Sequence, residues 1–213
     1  APHRAMDVQA WNVDWYFYSA YKVYGPHMGA LYGSHDAFDG LPGPNHFFIA
    51  NDDIPYKFEP GGVSHEGCAA LLALGNYLRF LCGGRLEDET PCTRGDVERA
   101  FDLMTACETA TQAPLMEYLL GRDDITIIGP AHAEPTRVPT ISFRHRTLAS
   151  QEIARRLDPT GIAIRAGHMY AYRLCEALSI PVKDGVVRVS LVHYNTPAEV
   201  ARLIAELDKA LAA

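Results

Sequence analysis

DWYFYSAYKVYGPHMGALYG, residues 14–33, sets a single lysine, Lys22, between an aromatic apolar run and a Gly-Pro turn. VDWYFYS reads as one buried strand and GALYG as a second. The turn YGPH joins them, since an apolar run broken by Gly and Pro is the signature of a bend between strands. The chain holds only four lysines (Lys22, Lys57, Lys183 and Lys209) against fifteen arginines, and Lys22 stands at the end of an apolar strand. Burial there would disfavour the ammonium form and leave a nucleophilic amine able to form a Schiff base with a carbonyl compound. A lysine so placed equally suits snorkelling to the surface or pairing with a carboxylate. Two buried strands this early need neighbours that residues 1–13 do not supply. The chain is therefore expected to be the C-terminal part of a longer protein, or one half of a split one, and to require an N-terminal half.

Composition narrows the class. A chain of 213 residues, 48% hydrophobic and 21% charged, is an ordinary globular composition. No stretch reaches the roughly 18–20 unbroken apolar residues that span a bilayer, so no membrane partner is expected. A formal charge of −7 without a long basic run argues against nucleic acid as a partner. The start, APHRAMDVQAW, lacks the cationic and apolar regions of a signal peptide, and a cytoplasmic location is expected. Five cysteines, Cys68, Cys82, Cys92, Cys107 and Cys175, form no C-x-x-C pair and suit a reducing compartment as free thiols. The nine histidines fall in no metal-ligand spacing, so no metal is expected.

Further along, Ser64 is placed to cap a helix through HEGCAALLALGNYLRFL, with Glu66 in its first turn where the helix dipole favours an anion. The polar loop CGGRLEDETPC marks the best domain boundary, dividing 1–90 from 91–213. A long helical stretch follows, in which Pro114 is expected to kink or interrupt the helix. ITIIGP, RVPTISFRH, GIAIRAG and GVVRVSLVHY read as strands and ASQEIARRL as a short helix. In NTPAEVARLIAELDKALAA, Thr196 and Glu199 make a capping box, Pro197 takes the first helical position, and Val200, Leu203, Ile204, Leu207 and Leu211 share one face. Alternating strands and helices after residue 91 predict an α/β lobe.

Four stretches in order carry a family resemblance over nearly the whole chain. SAYKVYGPHMGALY resembles the lysine segment of the class V aminotransferase family, the pyridoxal-phosphate enzymes that include cysteine desulfurases, which reads Ser-x-His-Lys before a Gly-Pro turn. FEPGG at 58–62 resembles the family's Phe-Glu-x-Gly-Thr, and GIAIRAGHMYA at 161–171 its Gly-Ile-x-x-Arg-x-Gly-His-x-Cys-Ala. RVSLVHYNTPAEV at 188–200 resembles Arg-x-Ser-x-x-x-Tyr-Asn-Thr-x-x-Glu-Val. The resemblance implies the α/β fold type I of pyridoxal-phosphate-dependent transferases, with residues 1–90 as the C-terminal part of the large cofactor domain and 91–213 as a small α/β domain.

It also implies roles. Lys22 would hold pyridoxal 5'-phosphate as a Schiff base and act as general base, and Ser19 would donate to the cofactor phosphate. Tyr21 stands where the family often has histidine beside that phosphate, and Gly62 stands where it has threonine, on a loop that reaches the neighbouring subunit's cofactor. Phosphate contact there would fall to backbone N–H groups or Ser64, and the arrangement implies a homodimer. Arg188 would grip the carboxylate of an amino-acid-like substrate through a two-bond fork. His168 and Tyr170 would line the pocket, Arg165 serving there or structurally. His27, in a turn one residue shorter than the common form, would be an acid/base group or an exposed turn residue. Tyr170 replaces the persulfide-forming cysteine of the desulfurases, and a phenol cannot carry transferable sulfur, although it can donate a proton to a leaving group. The implied function is chemistry at the α-carbon of an amino acid or amino-acid-derived amine, elimination or a related carbanion reaction without a persulfide cysteine. Transamination, epimerisation, carbon–carbon bond formation and a catalytically silent subunit are the alternatives. The family's aspartate under the pyridine nitrogen and its ring-stacking histidine would lie before residue 1.

Overall fold

The aromatic run forms β1 (Trp15–Ser19), which pairs antiparallel with β2 (Gly29–Gly33) in the register Phe17 to Leu31 and Ser19 to Gly29. Between them the chain leaves the strand as a 3-10 turn over Ala20–Lys22, closed by Ala20 N–H donating to the Met28 carbonyl at 2.7 Å and Gly25 N–H to the Ala20 carbonyl at 2.9 Å. This corrects two expectations. Lys22 sits on the turn, not the strand, and it is exposed. The strands alternate between exposed and half-buried, with Phe17 79% and Leu31 56% exposed on one face. Strand alternation puts these two side chains on the same side of the hairpin as Trp15 and Gly33.

The computed structural model describes residues 2–87 and 90–212, and the chain divides into two compact units, Ala1–Leu103 and Met104–Ala213. In the first, Ser34 caps the short helix α1 (His35–Asp39) through the Ala37 N–H, and Phe38 packs edge-on against Trp15 at 4.8 Å. A side chain at Gly33 would collide with both rings, which is why that strand ends in glycine. Helix α2 (His65–Leu81) starts on Ser64, whose hydroxyl accepts from the Gly67 N–H at 3.0 Å, with Glu66 in the first turn as expected. The buried lysine of this unit is Lys57, 1% exposed, its Nζ 5.4 Å from the Phe58 ring and without a hydrogen-bond partner among the described residues.

Helix α3 (Arg94–Leu120) is one helix with Pro114 inside it, so the expected interruption does not occur, and the division between the units falls within it. A helix-interior proline costs about 3 kcal/mol. Leu115, Met116 and Leu119, all buried just beyond it, offset that cost by joining the core of the second unit, at about 1.5–3 kcal/mol per side chain. Residues 88 and 89 of the expected boundary loop lie outside the described residues.

The second unit is built on a four-stranded antiparallel sheet in the order β3 (Ile125–Ile128), β4 (Thr140–His145), β6 (Val186–Ser190), β5 (Arg165–Gly167). Alternation decides its two faces. Ile141 and Phe143 of β4 and Val187 and Val189 of β6 turn into a core closed by α4 (Ser150–Leu157) and α6 (Pro197–Ala212). The capping box forms as the sequence predicts: Thr196 N–H donates to Glu199 at 2.7 Å, and Glu199 N–H to the Thr196 hydroxyl at 3.2 Å. The other sheet face carries Ser142, Arg165 and Arg188, with α5 (Tyr172–Ala177) entering from its side through buried Cys175 against Ile180 and Val186. None of the described helices is long and apolar enough to cross a membrane.

Candidate functional site

In the first unit the turn after β1 gathers the residues around the lysine. Ser19 is the N-cap of the 3-10 turn yet makes no capping bond with its side chain, so its hydroxyl is available to another acceptor. Ser19 and Lys22 line one groove of about 280 Å³ with Tyr16, Phe17 and Tyr18. Tyr21 stacks on His27 with ring centroids 4.8 Å apart and planes 7° apart, and the Lys22 ammonium lies 5.7 Å from the Tyr21 ring. A free hydroxyl, an exposed amine and aromatic walls are what a phosphorylated aromatic aldehyde requires of a protein surface, so these residues fit pyridoxal phosphate. The His27 ring is exposed and held by that stacking. Gly61 and Gly62 are open, with nothing among the described residues within 4 Å of where a Cβ would stand, so no packing among them demands glycine at either position.

In the second unit a cleft of about 950 Å³ opens beside β5 and β6, lined by Arg165, His168, Tyr170, Lys183 and Arg188 among others. Arg188 is half-buried, and its Nε is enclosed without a hydrogen-bond partner among the described residues. An enclosed guanidinium N–H lacking an acceptor is costly, and a bound carboxylate would satisfy it. Arg165 lies directly opposite Arg188 in the strand register. Sequence reasoning left Arg165 open, because the pairing of β5 with β6 is long-range and no local motif announces it.

The loop after β5 is conformationally constrained. Gly167, Met169 and Tyr170 have φ of 125°, 49° and 63°, two of them left-handed without being glycine, at about 1–2 kcal/mol each. Gly185, at φ 64°, seats this loop: a Cβ there would stand 2.0 Å from the Gly167 carbonyl carbon. The Tyr170 N–H donates to His168 Nδ1 at 3.2 Å, which leaves Nε2 to carry the proton of the neutral ring. Tyr170 itself is fully exposed. Cys175 is buried among Ile180 and Val186 on α5, a packing position. No group of three or more metal-ligating side chains occurs among the described residues.

A separate network braces the sheet. Arg122 donates to both oxygens of Asp124 at 2.9 and 2.8 Å and to Asp208 of α6 at 2.9 Å, while His145 Nε2 stands 3.1 Å from Asp124. The paired Arg122 bonds, with the His145 contact, hold the Asp124 carboxyl down at about 2.

Comparison with known proteins agrees with the sequence pattern. The profile of the Aminotransferase class-V family matches residues 1–88 and 97–203. An aminotransferase-like protein of Gibberella zeae, FGM3, is 37% identical over 99% of this chain and 49% of its own length. The cysteine desulfurase-like protein ustD of Aspergillus flavus is 32% identical over 98% of this chain and 45% of its own. The crystal structure of the cysteine desulfurase CsdA from Escherichia coli superposes with a TM-score of 0.75 at 23% identity, over 99% of this chain and 49% of that one. The chain thus spans about half the length of these relatives.

Proposed function

Because the chain belongs to the class-V aminotransferase family, whose members are pyridoxal-phosphate-dependent and share fold type I, we propose that it is the C-terminal part of an enzyme acting at the α-carbon of an amino acid or amino-acid-derived amine. Residues 1–90 are assigned to the large cofactor domain and 91–213 to the small domain, in a cytoplasmic homodimer. The observation that carries the reading is Lys22, an exposed amine with no ion pair among the described residues, sharing a groove with the unengaged hydroxyl of Ser19.

When bound, the cofactor supplies an electron sink for negative charge developing at the substrate's α-carbon. The chain supplies the rest. Lys22 would hold the cofactor, and its Nζ would serve as the base that takes the substrate's α-proton. Ser19 and Tyr21 donate to the phosphate, and the open backbone at Gly62 serves the neighbouring subunit. Arg188 fixes the α-carboxylate, which orients the bond to be broken, His168 and His27 contact substrate, and the Tyr170 hydroxyl gives a proton to the leaving group.

Elimination or a related carbanion reaction without a persulfide is favoured over desulfurisation. Support comes from the phenol at 170 and from Cys175, whose burial denies it the mobility of a sulfur carrier. Transamination, epimerisation and carbon–carbon bond formation use the same residues and remain alternatives. A silent subunit is a second reading, favoured by the departures from the family pattern at Tyr21, Gly62 and Tyr170.

The test is borohydride reduction of the full-length holoprotein followed by peptide mapping. The cofactor should become fixed to the peptide containing Lys22, and Lys22→Ala should abolish turnover. An adduct on the buried Lys57 instead would overturn the assignment, and no adduct on either lysine would support the silent subunit.

A further inference from the structure

The charge of the cleft beside β5 and β6 exceeds what one carboxylate needs. Arg165 and Arg188 face each other across the β5–β6 pair, where directly opposed Cβ atoms stand about 4.5–5.5 Å apart and like charges destabilise the sheet. Lys183 lines the same cleft, and no aspartate or glutamate does. The nearby acid, Asp184, is already engaged by Arg144 at 3.3 Å and by the Ser150 N–H at 2.7 Å. Neither Arg165 nor Arg188 has an ion pair among the described residues, and the Arg188 Nε has no acceptor.

We propose that this cleft receives an amino acid bearing a second anionic group on its side chain, Arg188 taking the α-carboxylate and Arg165 the distal anion. The proposal rests on the carboxylate-binding reading of Arg188. The assignment follows from depth: Arg188 is half-buried with an enclosed donor, whereas Arg165 lies exposed on the edge strand. Two guanidinium groups on adjacent strands suit anions separated by a short chain, as in the four- and five-carbon amino dicarboxylic acids. Such a ligand neutralises both arginines at once and converts their repulsion into two charge-assisted forks.

The experiment titrates the full-length holoprotein with L-aspartate, L-glutamate, L-asparagine and L-alanine, following the cofactor's absorbance. One of the two acids should bind at least about tenfold more tightly than L-asparagine and L-alanine. Arg165→Gln should erase that preference while leaving L-alanine affinity within about twofold, and Arg165→Lys should restore part of it, since a point charge survives without the fork. The proposal is overturned if the wild-type protein binds L-asparagine or L-alanine as tightly as the acids. It is equally overturned if Arg165→Gln, shown folded by its melting curve, weakens every amino acid alike. Failure of the Arg188 reading is distinct: Arg188→Ala would then leave all four affinities unchanged.

Discussion

Replacing Arg188 by alanine isolates the binding of the substrate α-carboxylate. Hydrogen bonds to charged groups contribute about 1.5–3 kcal/mol each, and a fork makes two. Part of that is returned in the variant, because Arg165 no longer opposes a like charge and Arg165 and Lys183 still draw anions into the cleft. The net loss should be about 2–4 kcal/mol, or roughly 30- to 700-fold in affinity. The fold should survive, since Val187 and Val189 on either side of Arg188 belong to the opposite, core face of β6. The assay is a spectral titration of the full-length holoprotein, in which the absorbance of the bound cofactor without substrate should match the wild type. Arg188→Lys should fall between the two, keeping a charge but losing the planar fork. An Arg188→Ala variant that melts normally and binds amino acids as tightly as the wild type would refute the reasoning.

Two further outcomes are expected. Tyr170→Phe should slow turnover and leave cofactor binding unchanged, and incubation with L-cysteine should yield no persulfide on any cysteine of the chain; mass spectrometry finding one on Cys175 would return sulfur transfer to first place. The Asp124 carboxyl, held at about 2 against roughly 3.9 in an unfolded chain, contributes stability that is complete above the unfolded value and disappears as pH falls through the folded one. Melting temperature should therefore drop between about pH 4 and pH 2, more shallowly in Asp124→Asn, and parallel curves would exclude this carboxyl as the cause.

What the sequence made legible is what local chemistry decides. The Thr196–Glu199 box and the Ser64 cap each rest on a side chain meeting an N–H three residues away, and both form where the pattern places them. The apolar face of α6 likewise needs only helical periodicity, and Val200, Leu203, Leu207 and Leu211 are all buried. Lys22 escaped because an aromatic run signals a strand but not how far it extends. The strand stops at Ser19, where the backbone turns to bond Ala20 with Met28, and the lysine is carried out of the apolar environment. Pro114 failed as a breaker because tertiary burial of its neighbours outweighs one missing helical bond. The opposition of Arg165 and Arg188 could not be read at all. They are joined through a helix and a turn, not a hairpin, so no short-range rule fixes their register.

That division has a functional counterpart. The arginines that would read the substrate's charge stand on paired strands, where register fixes their positions and the core beneath, through Val187 and Val189, resists displacement. His168 and Tyr170 stand on a loop whose left-handed residues are tolerated because Gly185 lets it lie against the approach to β6. Strain of this kind persists only where the surroundings over-determine it, and here it aims the His168 ring through the Tyr170 N–H. Rigid strands suit recognition, which depends on fixed charge separation, and a constrained loop suits the group that must meet a leaving atom. Substitutions on β5 and β6 should accordingly change which amino acid is accepted, while substitutions from Gly167 to Tyr170 should change how fast it reacts.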